Sequence, residues 1–444
     1  MDVAVVGAGP AGLFTATALA RRGARVAVVD RDPGPAADGT WPRKGVMQFH
    51  HPHGLRQQIF EALRQEIPEA IDALAEAGAE PAVRPAENGR PERLIGLHCR
   101  RMVFERVLRA LTEAQPGVTL VPGHADDVLR SGGRATGLLV DGRELAADLV
   151  VNASGRAGRL ADDVRADGVS SDCGLSYVSR QYELLPGAGP GPMNAPIGIV
   201  QTLRGYIIAV FLQDNRTFCA LIARPSSDRR LAALRVPEAF ETAAGAIPAL
   251  AGWVTPERSR PITPVLPGGR LHNTYRGQLD DRGRVGLPGL LHVGDTVCTT
   301  NPTAGRGIAI GMRQAVRMLE LLDEHPGDPA AVAAALDEWC TEQVRPWFDD
   351  HVHWDADLLR RWAGGDVDVT RRLPSDLIME ATEADPSLMS VVGPYMAMEV
   401  LPTALDEVEP RAREIYARGW RPPAHPGPDR DELAEIIAPA LLSR

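Results

Sequence analysis

The sequence predicts an α/β protein: a Rossmann-like nucleotide-binding domain on a mostly parallel sheet, a β-sheet-rich unit set into it, and a helical C-terminal region. Three stretches predict it. The chain opens on 2-DVAVVGAGPAGLFTATALARRGARVAVVDRDP-33, which reads as strand, tight turn, helix and strand. From about residue 170 to 285 the pattern changes to short apolar runs joined by Pro/Gly-rich loops. Then 294-GDTVCTTNPTAGRGIAIG-311 passes a second time from a glycine turn into a helix. The expected division is 1–168 (nucleotide-binding domain, first part), 169–285 (β-rich substrate domain), 286–330 (nucleotide-binding domain, second part) and 331–444 (helical region).

The first strand, Val3 to Val6, is continuously apolar, as suits a parallel strand buried on both faces. Gly7, Gly9 and Gly12, with Pro10 and Ala11 between them, form G-x-G-x-x-G. The first glycine permits the turn, the second lets a pyrophosphate approach the backbone, and the third lets helix and strand pack closely. The helix, expected from Leu13 to Arg22 and ended by Gly23, presents free N–H groups and a positive dipole end at its start. The strand Arg25 to Val29 ends at Asp30, where a ribose-binding carboxylate belongs. Apolar spacing at Leu55, Ile59, Leu63, Ile67, Ile71 and Leu74 predicts one helix over 54–78, and 98–111 another. Alternating runs at 118–123 and 135–155 surround an Asp141-Gly142 turn, and Leu149 to Asn152 is expected to return to the main sheet. Strand-like runs at 197–203, 206–212 and 217–223 make up the β-rich unit. A strand from Leu290 to Val293 precedes the second turn. The helix beginning around Arg306 carries one apolar face of Ile308, Met312, Ala315, Leu319 and Leu322. The tail from about 330 is mostly helical.

At 444 residues the chain can bury more than one core, and its 44% hydrophobic and 24% charged residues are those of an ordinary globular protein. A formal net charge of -10 argues against a nucleic-acid partner. Five scattered cysteines with no CxxC pair suit reduced thiols and a cytoplasmic setting. The N-terminus enters an apolar strand without a basic stretch, so no secretory leader is expected, and no apolar run reaches 18 residues. Lys44 is the only lysine.

The two glycine turns together resemble the FAD-dependent monooxygenase superfamily with the aromatic-hydroxylase type of fold, nearest to its halogenase-like and squalene-epoxidase-like members. The resemblance rests on four stretches within about 1–165 and 285–325. Gly7 to Gly12 with Asp30-Arg31 would hold the ADP half of FAD. Arg43 in 42-PRKGV-46 and Arg101, heading Arg101-x-x-Phe104-x-x-x-Leu108, resemble family arginines that approach the cofactor. Gly294-Asp295 would place a carboxylate on a ribityl hydroxyl. Pro302 would lie near the isoalloxazine, and Gly305, Arg306, Gly307 and Ile308 would offer backbone N–H groups to the pyrimidine edge. One long cofactor thus explains two distant turns. The resemblance implies hydroxylation or epoxidation of a small apolar or aromatic secondary metabolite through a flavin C4a-hydroperoxide. The alternative is an oxidase, dehydrogenase or reductase on the same fold, without oxygen insertion. The resemblance implies NAD(P)H as reductant, direct or through a separate flavin reductase; where NAD(P)H-dependent relatives carry an Asp-Gly motif, this chain has Ala153-Ser154-Gly155-Arg156, which points toward the separate reductase. The halogenase motif G-W-x-W-x-I-P has no counterpart. A homodimer is left open.

No catalytic acid or base is assigned. Gln48, His50 and Pro302 are the candidates, since the loop 48-QFHHPHG-54 follows the cofactor arginine in related proteins; a helix-entry loop with solvent-facing histidines is the other reading. A metal is not expected there, because Pro52 keeps His50, His51 and His53 from converging. His351 and His353, with Trp354 and Asp355, sit on an expected helix at a spacing that cannot share one face. Alternation pairs Tyr177 with Gln181, and Arg180 with Tyr182, as pocket-lining or solvated sets. Ser154 lies in no nucleophile elbow.

Overall fold

The structure is a computed structural model that describes residues 1–85 and 92–441. Its centre is a five-stranded parallel sheet in the order Leu290–His292, Leu149–Asn152, Asp2–Val6 (β1), Arg25–Asp30 (β2) and Val118–Pro122. β1 therefore lies mid-sheet, and its residues Ala4 and Val5 are fully buried. Helix α1 spans Pro10–Arg21, three residues earlier than its apolar periodicity predicts. Proline at the first helical position needs no hydrogen-bond partner, so the helix can begin on the glycine turn itself.

Two expectations change. The run at 118–123 belongs to the parallel sheet rather than to the hairpins that follow it. As an edge strand with one face open, it alternates like a hairpin strand. The helix over 54–78 is two helices, Gln57–Glu66 and Glu69–Glu76. Pro68 separates them, and Ile67 before it takes an extended φ of -141°.

The β-rich unit is an antiparallel sheet of Leu175–Leu184, Gly198–Leu203, Tyr206–Leu212 and Thr217–Pro225, with short strands at its border. It also contains two helices, Pro237–Ala246 and Pro248–Val254, whose Phe240 and Trp253 pack with Tyr182, Phe218 and Val210 on one sheet face. The opposite face is left for the site. The tail shares cores with both regions. Trp347, Leu377 and Tyr395 join the cluster of Val5 and Leu13, while Leu433 and Ile437 join the core under the β-sheet.

Candidate functional site

A cavity of about 1240 Å³ runs from the carboxyl end of β1 to the open face of the antiparallel sheet. That exceeds the roughly 300–1,000 Å³ of pockets for drug-sized molecules. Gly7, Gly9, Pro10, Ala11, Asp30, Arg31 and Arg43 line it, and so do Gly294, Asp295, Pro302, Gly305, Arg306, Gly307 and Ile308. Arg101 and Gln48 also line it. The two turns touch: a Cβ built on Gly294 would lie 3.4 Å from the Cβ of Ala11.

The first turn is fixed by its own neighbours. A Cβ on Gly12 would stand 1.9 Å from the Gly7 carbonyl oxygen, so Gly12 serves packing and does not line the cavity. A Cβ on Gly9 would meet nothing within 4 Å, leaving open space where the strand–turn–helix unit offers its N–H groups. Asp30 accepts from Ala8 N–H at 2.6 Å and from Asp32 N–H at 2.8 Å, which fixes its carboxylate at the rim. Arg43 is buried and held in a left-handed backbone conformation (φ 34°). Its Nη2 donates to the Ala8 carbonyl at 2.8 Å, and its guanidinium pairs with Glu105 at 3.1 Å and stacks on Trp41. Among the described residues its Nη1 has no hydrogen-bond partner, so a buried donor remains for an anion at the turn.

At the second turn, no group of the described residues donates a hydrogen bond to the Asp295 carboxylate. Burial raises its pKa, against the pull of Arg101 and Arg156. Asn301 accepts from Thr303 N–H at 3.1 Å, capping the short turn Pro302–Ala304, and Gly305 follows in the left-handed region. Helix Gly307–Glu324 then begins, its first N–H groups unpaired within the helix. The open space at Gly9, the spare donor of Arg43 and the undonated Asp295 carboxylate fit a long dinucleotide lying across both turns.

Over the antiparallel sheet the cavity wall is mostly apolar, with Val200, Ile207, Ala209, Phe211, Leu221, Tyr177 and Trp354 joined by the polar Thr202 and His272. Ile207, Ala209 and Phe211 are alternate residues of 206-YIIAVFL-212, and that period was the signal available in the sequence for this face. Trp354 comes from helix Arg345–Trp362, which sequence reasoning read only as a polar-aromatic cluster.

Several candidates lie elsewhere than their spacing implied. His50 does not line the cavity; its ring packs on Phe49, with centroids 4.9 Å apart. His51 and His53 do, because the turn closed by His51 N–H on the Gln48 carbonyl carries the chain inward. Burial lowers His51 to about 4 and His53 to about 3, so both are neutral at pH 7. His51 Nδ1 is 2.7 Å from Ser179 Oγ and its ring meets Tyr177 edge-on, a structural engagement rather than that of a free base. The Arg306 side chain leaves the cavity to pair with Asp350 at 2.9 Å and to stack on Trp347 and Tyr395, so only its backbone can face the site. Arg180 and Tyr182 turn to the other sheet face, both meeting Glu241 at 2.6 Å. Lys44 is exposed at the rim, and Ser154 Oγ donates to Asn152. Among the described residues no group of three His, Cys, Asp or Glu side chains could hold a metal ion, and no helix is long and apolar enough to cross a membrane.

Residues 2–174 match the family described as FAD dependent oxidoreductase. The 3-demethoxyubiquinol 3-hydroxylase of Escherichia coli (strain K12) is 26% identical over 341 residues, 72% of this chain and 79% of that protein. The solved structure of the flavin-dependent brominase Bmp2 superposes with a TM-score of 0.66 at 15% identity, over 95% of this chain and 100% of that one. PqsL from Pseudomonas aeruginosa, described as a probable FAD-dependent monooxygenase, superposes with a TM-score of 0.58 at 16% identity, over 82% of this chain and 98% of its own. The chain has the fold these structures share.

Proposed function

We propose that this chain, an FAD-dependent oxidoreductase with the flavoprotein-monooxygenase fold, hydroxylates or epoxidises a small apolar or aromatic secondary metabolite. The observation that carries the proposal is one continuous cavity joining two glycine turns to an apolar lobe. The first turn's N–H groups and Arg43 would hold the pyrophosphate of FAD, and Asp30 its ribose. Asp295 would accept from the ribityl chain, and the N–H groups of Arg306, Gly307 and Ile308 would face the pyrimidine edge; Gly305, expected to join them, donates its N–H to the Pro302 carbonyl at 2.9 Å instead. Bound and reduced, FAD supplies the chemistry by activating O2 and delivering one of its oxygen atoms. The lobe of Val200, Ile207, Ala209, Phe211 and Trp354 would exclude water and press an apolar substrate toward Pro302.

Oxygen insertion is favoured over substrate dehydrogenation because the lobe offers no poised base. His51 is engaged with Ser179, burial and then Arg101 hold His53 near 3, burial pushes Tyr177 up to about 12, and His272 is exposed. The hydroxylase among the relatives supports the same choice. Bromination, named for the structural neighbour, is disfavoured by the missing Trp-rich motif. We assign NAD(P)H as the ultimate reductant, acting through a separate flavin reductase, because Ala153-Ser154-Gly155 replaces the Asp-Gly motif. The five buried free cysteines suit a cytoplasmic protein; a homodimer is compatible with this reading and carries no part of it.

The test is turnover of an apolar aromatic panel under 18O2, with NADPH alone and with an added flavin reductase. Products heavier by one labelled oxygen, formed fastest with the reductase, support the proposal. Oxidised products without label would favour the dehydrogenase reading.

A further inference from the structure

The second turn is held from behind by a cation that no described residue neutralises. Arg56, at the start of helix Gln57–Glu66, donates from Nε to the Gly305 carbonyl at 3.0 Å and from Nη1 to the Met396 carbonyl at 2.6 Å. Its Nη2 donates to the Ala304 carbonyl. Every one of these partners is main chain, and no carboxylate pairs with Arg56 among the described residues. The neighbouring cation, Arg306, does have a counter-ion. Its Nη1 reaches Asp350 Oδ2 at 2.9 Å, but that same oxygen also accepts from Tyr395 OH at 2.6 Å. Behind residues 304–307, then, Asp350 serves Arg306 and Tyr395, and Arg56 is left without a carboxylate partner among the described residues. His351, 3.3 Å from Arg306 Nη1, adds no charge, because burial and Arg306 hold it near 3.

Arg56 remains a cation at neutral pH. Burial, and then repulsion from Arg306, lower it only to about 9. Its bonds also orient the loop. A trans peptide points its C=O and the following N–H in opposite directions. Drawing the Gly305 carbonyl onto Arg56 therefore turns the Arg306 N–H to the other side, and both residues line the cavity.

We propose that Arg56 is a positioning residue that raises the reduction potential of the bound flavin, by placing an uncompensated positive charge one peptide behind the loop facing the ring. Oxidised FAD takes two electrons and one proton to become an anion, so a nearby cation favours the reduced form. The proposal rests on the placement of the ring end at residues 302–308.

The test is the two-electron midpoint potential of the bound flavin in wild type, Arg56→Gln and Arg56→Lys, each titrated with a reference dye. Arg56→Gln should retain FAD and lower the reduced-to-oxidised ratio about tenfold, a shift of about 30 mV; Arg56→Lys should stay near wild type. An unchanged potential in Arg56→Gln, or an equal fall in both variants, would overturn the role of charge. Wild type alone gives a second reading: its reduced flavin should keep the anionic absorbance to lower pH than free reduced FAD measured alongside. Titration together with free FAD would overturn the proposal even if the variants failed to fold. A preparation that binds no FAD would instead sink the functional reading beneath it.

Discussion

The two glycine turns meet at Ala11 and Gly294, yet they are built in opposite ways. The first is held by its own sequence: Gly12 packs on Gly7, Asp30 accepts from Ala8, and β1 leads straight into α1. The second is held from outside. Arg56 reaches it across 249 positions, and Asp355 across 54. Asp355 accepts from Asn273 and Asn301 at 2.7 Å each, while the Asn273 side-chain oxygen accepts from Asn301 N–H at 2.6 Å. A turn fixed locally can grip the invariant part of a cofactor. A turn hung on the tail can be adjusted by residues that never touch the ligand.

The largest effect should come from breaking the local turn. Gly12→Val needs backbone to move, since a built Cβ already stands 1.9 Å from the Gly7 carbonyl oxygen. Soluble yield and flavin content should both collapse, and a folded yellow Gly12→Val protein would refute the packing role.

The outside support should show itself as a pH effect. Burial raises Asp355 to about 6, with Asp376 adding repulsion and the amides of Asn273 and Asn301, with Cys173, opposing it. The folded value lies above the unfolded one of about 3.9. Stability from this group is therefore complete below that unfolded value and is lost as pH rises through 6. In Asp355→Asn that slope should vanish, changing the melting difference from wild type by on the order of 3 kcal/mol between pH 4 and 7. A difference independent of pH would remove Asp355 from the account.

Lys44→Arg should do least. Lys44 is exposed at the rim and belongs to neither holding set, so flavin content and turnover should stay within about twofold of wild type. Loss of turnover with FAD retained would make the lone lysine a participant.

This contrast also explains what the sequence could reveal. The strands β1 and β2, the first turn and Asp30 were legible because their constraints fall within the first thirty residues. The glycines of the second turn were legible too, as was the apolar helix after them. Arg56, Asn273 and Asp355 were not, because nothing local distinguishes a buried polar residue that holds a distant loop from one facing solvent. The choice of His51 over His50 depends on a turn closing at Gln48, a detail that histidine spacing alone does not encode. Pro68 was visible, yet the apolar period on both sides concealed the break it makes.

Asp295, far along the chain from Gly7, would grip the same FAD molecule as the first turn. The direct measurement is the FAD dissociation constant of Asp295→Ala, taken with the melting temperature of its apo form. A buried hydrogen bond to a charged group contributes about 1.5–3 kcal/mol, so affinity should fall by about one to two orders of magnitude. The apo protein should melt no lower than wild type, since the substitution removes a half-buried carboxylate to which no described residue donates. Full flavin retention in Asp295→Ala would contradict the account.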